Sequence, residues 1–395
     1  MELGERSTLN LDHMASDRQI LVVLGDGGVG KTSVAAALAA SLALSGRRVL
    51  AVTVDPANRL KDSLGLSGTP GLEESVPLNR FGSVAPGGTL FAMVLDASSE
   101  LDRLVARVAP SEEIRLRITG NVFYRKAAAR MSGTHEYMAM ERLLEALESG
   151  RYDLVILDTP PERHALDFLD APDRLDRLLE SDTLRLFVRA SSSLSQSGLS
   201  ALLGKGVLLR GIARFAGEET FLALLDFVMA FSPMFKGFRE RAGRVKALLT
   251  SRRTATILVG RPEASAAHRL KQAADELTRR GLEPSVVLVN KVHSWPPPGC
   301  SIPSAAIIDD HALRDTLLAE PALQLEDRES LVRLAAQVQT MSREYRKQAT
   351  ADALCLQEIR TALSPITVAA IPMMRGEVRD LDGLATLVSY LNDAN

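Results

Sequence analysis

The stretch of this 395-residue chain with the clearest chemistry is a glycine-rich run between two apolar segments. Its residues are Gly25, Asp26, Gly27, Gly28, Val29, Gly30, Lys31 and Thr32. The apolar run 20–24 before it predicts a buried strand, and the Ala/Leu run from Ser33 to Ala40 after it predicts a helix. Strand, glycine loop, Gly-Lys-Thr and helix in this order predict a phosphate-binding P-loop rather than a plain glycine-rich turn.

Each part of this loop has a defined role toward a polyphosphate. The glycines let successive backbone N–H groups face an anion, and the start of the helix adds partial positive charge. Lys31 would reach the terminal phosphates, and the Thr32 hydroxyl would bind Mg²⁺. The expected ligands are therefore ATP and Mg²⁺, held by residues 25–33 including Ser33.

Two aspartates end apolar strands elsewhere in the chain. Asp158 closes the run 153–158 and is placed like the acid that holds the water shell of the magnesium ion. Asp55 closes the run 48–54 and could orient the attacking water. The alternatives are a strand-end or capping aspartate at Asp158 and a cap of the next helix at Asp55.

Composition is that of an ordinary globular protein, with 46% hydrophobic and 24% charged residues. The formal net charge of −2 gives no general attraction to nucleic acid. Cys300 and Cys355 form no CxxC motif, and no signal peptide or membrane-spanning run is visible. These features predict a cytoplasmic location.

Apolar strands that alternate with helices predict a doubly wound, mostly parallel α/β sheet of the P-loop NTPase type. Residues 1–17 are expected to be a flexible tail, and 18–395 a single domain with a loop at 66–88. The expected strands lie near 19–24, 48–54, 90–95, 153–158, 254–259, 285–289 and 366–371. Inserted helical segments are expected at about 98–150, 165–250 and 300–363, and a last helix at 381–391.

Three motifs together resemble the arsenical-pump ATPases, whose relatives include ATPases that target tail-anchored membrane proteins. They are the glycine loop, the segment 55–62 (DPANRLKD) and the segment 158–164 (DTPPERH). The resemblance covers the core strands, whereas the inserted helices match poorly. The segment 163–172 looks most like a poorly characterised bacterial branch of this family.

The resemblance implies further roles. Asp55 would be the water-activating acid of switch I, and 158–164 would be switch II. Asn290 and the loop of Pro372, Met373 and Met374 would hold the adenine. Family members work as dimers around two nucleotides, so we expect a homo- or heterodimer with a related ATPase.

This chain departs from the family at the second position of the loop. The family has a lysine there that reaches the partner's phosphates, whereas this chain has Asp26. Arg163, Arg59 or a cation from a partner chain could replace it, or the site could be slow. The chain also lacks the CxxC of the zinc clasp and a thiol cluster for metalloid binding.

The inserted helices contain a Phe/Met-rich segment at 221–238. It could line a groove for an apolar client helix or a membrane protein, or it could pack on the core. A basic stretch at 236–253 could be a solvated face or a contact for an acidic partner or anionic lipid. The histidines show no ligand-like spacing, so we assign them no role.

These features predict an ATP-hydrolysing switch that couples nucleotide state to a client. Two alternatives remain open: a nucleotide-binding scaffold with little turnover, because of Asp26, and a partitioning-type positioning ATPase. The short terminal segment 381–395 argues against the second alternative, which usually ends in a basic amphipathic helix.

Overall fold

The computed structural model describes residues 11–54, 59–66, 69–122, 124–125, 134–160, 170–182, 185, 188, 218–297, 328–374, 376, 378 and 380–393. Within these residues the strands are β1 (Ile20–Gly25), β2 (Arg48–Thr53), β3 (Glu74–Val76), β4 (Thr89–Val94), β5 (Leu154–Asp158), β6 (Thr254–Gly260), β7 (Pro284–Val292) and β8 (Thr367–Pro372). The described helices are α1 (Leu11–Ala15), α2 (Lys31–Leu44), α3 (Arg59–Leu64), α4 (Ala97–Val108), α5 (Glu112–Gly120), α6 (Thr134–Glu148), α7 (Ala171–Glu180), α8 (Glu218–Phe231), α9 (Phe235–Leu249), α10 (Ala266–Arg279), α11 (Arg328–Leu363) and α12 (Leu381–Asp393).

The described strands form one sheet in the order β3-β4-β2-β5-β1-β6-β7-β8. All neighbouring pairs are parallel except β3 with β4 at one edge. This confirms the predicted α/β fold with a mostly parallel sheet. The chain leaves β1 at the centre and winds to both sides, so β1 ends at the switch point where such sheets bind ligands.

The sheet is buried on both faces, as its uninterrupted apolar strands require. Along β1, Ile20, Val22 and Leu24 enter the core on one face, whereas Leu21 and Val23 enter the core on the other. The helix that follows the glycine loop, α2, is buried along almost its whole length against α12 and α3. The end of α2 that carries Lys31 is therefore held rigidly.

Two segments differ from their predictions. The prediction of a flexible tail over 1–17 is wrong for residues 11–15, because they form α1. Leu11 and Ala15 of this helix are buried on the same side of the sheet as α2. The expected loop at 66–88 contains β3, which pairs antiparallel with β4 and adds an edge to the sheet. Both elements are too short to give a clear periodicity in the sequence.

The described helices of the predicted insertions form a layer over one sheet face. In the Phe/Met-rich segment, Met234 and Phe238 are buried, and Phe227, Phe231 and Phe235 pack against the same core. Phe227 and Phe231 stack with ring centroids 5.2 Å apart. These contacts favour core packing over a preformed groove for this segment.

The basic stretch on α9 pairs largely with acids of the same chain. Lys246 bonds Asp173 of α7 at 2.7 Å, and Arg239 contacts Asp176 at 2.8 Å. These pairs fasten α9 to α7, so these two basic residues are engaged within the chain rather than free for an acidic partner. No helix among the described residues combines the length and the apolar composition that crossing a bilayer requires.

Candidate nucleotide-binding site

The glycine loop joins the carboxyl end of β1 to the first turn of α2. Gly30 is the N-cap of α2 and has a φ of 94°, in the left-handed region that favours glycine. A Cβ atom at Gly30 would clash with Nδ2 of the buried Asn290, so an added side chain would have to displace that amide. The first N–H groups of α2 have no partner within the helix, and such groups are the ones that an anion binds at a helix start.

The Lys31 side chain folds back along this loop and is only 5% exposed. Its Nζ donates to the backbone oxygens of Gly25 and Asp26, each at 2.8 Å. Backbone carbonyls compensate the buried ammonium group only in part. A polyphosphate would give it a charged acceptor, so the lysine is placed to exchange these bonds for phosphate contacts.

A cavity of about 750 Å³ opens beside the loop. This volume lies within the roughly 300–1,000 Å³ range of small-molecule sites. Among the predicted site residues, its lining includes Gly28, Gly30, Lys31, Thr32, Ser33, Asn290, Pro372 and Met373. Residues expected to hold phosphates and residues expected to hold adenine thus meet in one cavity, although the chain separates them by more than 250 positions.

Four other residues of the glycine loop do not line this cavity. Gly25, Asp26 and Val29 line a smaller cavity of about 100 Å³ toward the end of β6, and Gly27 lines neither cavity. The Asp26 carboxylate pairs there with Arg269 of α10, with Nε of the arginine 3.2 Å from Oδ2.

Asp158 ends β5, the strand next to β1, and is 1% exposed. Its Oδ2 accepts a hydrogen bond of 2.9 Å from Oγ1 of Thr53 at the end of β2. The next residue, Thr159, donates through Oγ1 to the backbone oxygen of Val23 at 2.8 Å and lines the larger cavity. The Asp158 carboxylate is thereby fixed in orientation at the carboxyl ends of the central strands, where the glycine loop also begins.

The donor set of this edge suits a magnesium-bound nucleotide. Hard oxygen donors, here the Thr32 hydroxyl and the Asp158 carboxylate, are the kind that Mg²⁺ prefers beside phosphate oxygens. When bound, Mg²⁺ would neutralise charge that develops on the transferring phosphoryl group. Asp55 and Arg163 lie outside the described residues, as does the side chain of Arg59, so their roles stay predictions.

Asn290 was expected at the end of a strand, but β7 continues through it to Val292. The pairing of β7 with β8 is irregular between Val289 and Val292, and Lys291 has a φ of 62°. Such an irregularity redirects side chains. It lets the Asn290 Nδ2 donate to the Val29 oxygen at 2.8 Å while Lys291 lines the cavity.

The loop after β8 is fixed to the same irregularity, because Met373 N–H donates to the Val292 oxygen at 2.9 Å. His293, the residue that follows β7, is hydrogen-bonded to α11. Its backbone N–H donates to Oδ2 of Asp352 at 2.8 Å, and its ring Nδ1 lies 2.8 Å from the same oxygen. Gln348 donates to the other carboxylate oxygen at 2.7 Å.

We call the hydrogen bonds of Asp352 with His293 and Gln348 the Asp352 clamp. Sequence reasoning missed it, although the position of Asp352 in the helix gives a signal. Asp352 occupies an inward position of the apolar stripe on α11, and it is 1% exposed. The other members of that stripe are Ala349, Leu356, Ile359 and Leu363. A charged residue in such a stripe needs buried partners, here the exit of the cavity strand.

We expect Asp352→Ala to lower the free energy of unfolding by about 2–4 kcal/mol, because the partly buried N–H of His293 and two side chains lose a buried charged acceptor. Urea denaturation measures this loss. Asp275→Ala on α10 is the matched control, since Asp275 is 52% exposed and pairs only with Lys271 in the described contacts. It should change the free energy by less than about 1 kcal/mol. Equal effects of the two substitutions would contradict the clamp.

The steric role of Gly30 gives a second expectation. Gly30→Ala should lower the free energy of unfolding by about 2–4 kcal/mol, because it combines left-handed strain with a clash against Asn290. Gly28→Ala is the control: its φ is 78°, and no atom lies within 4 Å of the added Cβ. It should lose only about 1–2 kcal/mol, the strain alone. Denaturation without nucleotide compares them, and equal losses would exclude the clash.

Together, the parallel sheet, the glycine loop before a buried helix and the strand-end acid define a P-loop nucleotide hydrolase. Comparison with known proteins narrows this class. The profile of the ArsA-type anion-transporting ATPase family matches residues 18–205. Residues 18–205 are thus an ArsA-type ATPase region, which confirms the family resemblance and the ATPase activity that the sequence motifs predict.

Several curated relatives are similar over most of the chain. An ATPase GET3 from Malassezia globosa is 25% identical over 275 residues, which cover 70% of this chain and 72% of the relative. An ATPase ASNA1 homolog from Trypanosoma cruzi is 27% identical over 307 residues, 71% of this chain and 76% of the relative. An ATPase GET3 from Podospora anserina is 27% identical over 286 residues, with 71% and 74% covered. The similarity to the bacterial branch stays a prediction.

Proposed function

We propose that this ATPase is a Mg²⁺-dependent dimeric switch whose nucleotide state controls binding of an apolar client helix. The observation that carries the nucleotide half is the larger cavity, where Lys31, Thr32, Asn290 and Met373 converge. Lys31 and Thr32 suit a bound triphosphate and its cation, and Asn290 and Met373 suit a base.

The larger cavity is linked through β7 to the long helix α11. Asn290 and Lys291 line the cavity, and His293, which follows them in the chain, is hydrogen-bonded to Asp352 of α11, a helix of 36 residues. At 1.5 Å per residue this helix spans roughly 54 Å. A shift of the cavity wall on nucleotide binding would therefore be carried far from the site, which is what a switch needs.

The client half of the proposal rests on the family resemblance and on exposed apolar side chains of the helical layer. Leu116 on α5 and Val122 beyond its end are 56% and 54% exposed. α5 packs against the Phe-rich helix α8, so both lie beside the predicted client segment. Asp26 favours a second candidate within the same class, a switch with very slow turnover, because it replaces the expected cation with an acid.

One experiment tests both halves with a defined probe. The full chain is co-expressed with a soluble domain that ends in an apolar helix of about 20 residues, enough to span a bilayer. We expect capture of the probe to depend on nucleotide, differing between ATP with Mg²⁺ and ADP, and light scattering to give a dimer with ATP. The control probe carries two lysines in the middle of its helix and should not be captured. Equal capture of both probes, or of one probe in both nucleotide states, would contradict the switch.

A further inference from the structure

The acid that replaces the family lysine is not isolated in the structure. Asp26 is held at two points: its backbone oxygen accepts from Lys31 Nζ at 2.8 Å, and its carboxylate Oδ2 accepts from Arg269 Nε at 3.2 Å. Two cations thus hold the first arm of the glycine loop, one through the main chain and one through the side chain.

Arg269 is itself prepared for this contact by the loop between β6 and α10. Its NH1 donates to the Ser265 hydroxyl at 2.9 Å and to the Ala264 oxygen at 3.3 Å, and its NH2 donates to Glu263 at 2.8 Å. Because these bonds already restrict the guanidinium, it loses little further conformational entropy when it pairs with a carboxylate. Arg269 is 40% exposed, so its position comes from these bonds rather than from burial.

Charge gives the reason for the pair. Asp26 sits in the loop that would surround a triphosphate, and an uncompensated carboxylate there repels the ligand. Lys31 cannot both neutralise Asp26 and serve the phosphates. A second cation directed at the carboxylate leaves Lys31 available.

From this geometry we infer that Arg269 is a positioning residue for ATP: by pairing with Asp26 it neutralises the loop acid and fixes the arm Gly25–Gly27 for nucleotide binding. The inference rests on the proposed ATP site in the larger cavity. It assigns a role to a residue of α10 that belongs to none of the P-loop or switch motifs.

The test is a double-mutant cycle on the full chain, read out as KM and kcat for ATP and as affinity for a fluorescent ATP analogue. Arg269→Ala should weaken binding and raise KM by about three- to ten-fold with kcat within about two-fold, because the Asp26 carboxylate is then unpaired near the phosphates and its repulsion acts on binding. Arg269→Lys should recover part of this loss, since it keeps the charge but not the fork.

In the Asp26→Ala background, adding Arg269→Ala should weaken ATP binding much less than it does in the unaltered chain, because the arginine then pairs only with Glu263, which lies outside the glycine loop. The loss in Arg269→Ala should also shrink at about 1 M salt, where screening acts within roughly 3 Å. Arg279→Ala on the same helix is the control: Arg279 is 69% exposed and pairs with Glu276, so ATP binding should not change.

The outcomes separate this inference from the proposed function. If the unaltered chain does not bind the ATP analogue, both fail. If it binds the analogue and Arg269→Ala binds equally well, only the role of Arg269 fails. A combined variant as weak as Arg269→Ala would show a direct or structural effect of the arginine and would also overturn the pairing. Thermal unfolding of each variant identifies any that fails to fold. If Arg269→Ala fails to fold, Arg269→Lys tests the inference instead: we expect it to bind ATP more weakly than the unaltered chain, and unchanged affinity would overturn the role of Arg269.

Discussion

Lys31→Ala should reduce ATP turnover by about 10²–10³-fold, the effect of removing one preorganised charged donor from a developing phosphoryl charge. ATP affinity should fall as well, because Lys31 is the buried cation among the described residues that line the larger cavity. The Lys31 ammonium donates to the loop carbonyls of Gly25 and Asp26, and thermal unfolding of the variant checks that it folds without these bonds. Steady-state turnover and calorimetry of ATP binding measure the two effects.

Lys271→Ala provides the matched control for this substitution. Lys271 lies on α10, is 50% exposed, pairs with Asp275 and lines neither loop cavity. It should leave turnover and affinity within about two-fold of the unaltered chain, as surface substitutions usually do. Turnover of Lys31→Ala at the level of Lys271→Ala would remove the glycine loop from the reaction.

Asp158→Asn should lower kcat by about 10²-fold while ATP binding falls much less, because the amide keeps the shape but loses the charge that the magnesium ion and its waters require. The Thr53 hydroxyl can still donate to the amide oxygen, so the free energy of unfolding should change little. The dependence of turnover on Mg²⁺ concentration should shift to higher concentrations. Turnover across a magnesium titration measures both changes.

Asp153→Asn controls for the loss of an acid next to the same strand. Asp153 lies just before the opposite end of β5, and Arg48 holds the pKa of its carboxyl below the usual range through a hydrogen bond at the surface. Turnover and magnesium dependence should be unchanged in this variant. If both variants lose turnover equally, the strand-end position of Asp158 has no special role.

The parts of the fold that the sequence predicts well are those with strong local signals. The run 20–24, the glycine loop and the Ala-rich helix lie within about two dozen residues, and each has its own pattern of apolar or small side chains. Their order alone predicts the phosphate end of the proposed site. The acid at Asp158 follows because an apolar strand that ends in a charge is a local pattern too.

The parts that the sequence does not predict depend on contacts between distant segments. Arg269 and Asp26 are 243 positions apart, and nothing near either residue indicates the other. The course of β7 through Asn290 is likewise set by its irregular pairing with β8 rather than by its own residues. Asp352 is the intermediate case, because its place in an apolar stripe was visible but its partner His293 was not.

The most direct test of the central claim is photolabelling of the full chain with 8-azido-ATP in the presence of Mg²⁺. We expect the label in peptides that contain Asn290–Val292 or Pro372–Met374, and we expect an excess of ATP to suppress it. A second cavity of about 870 Å³ lies at the amino ends of the strands and is lined by Arg18, Arg252 and Thr278. Labelling of this cavity is compared with labelling of the proposed site in the same experiment. ATP-suppressible label in peptides of that cavity, with none at 290–292 or 372–374, would contradict the assignment of the nucleotide site.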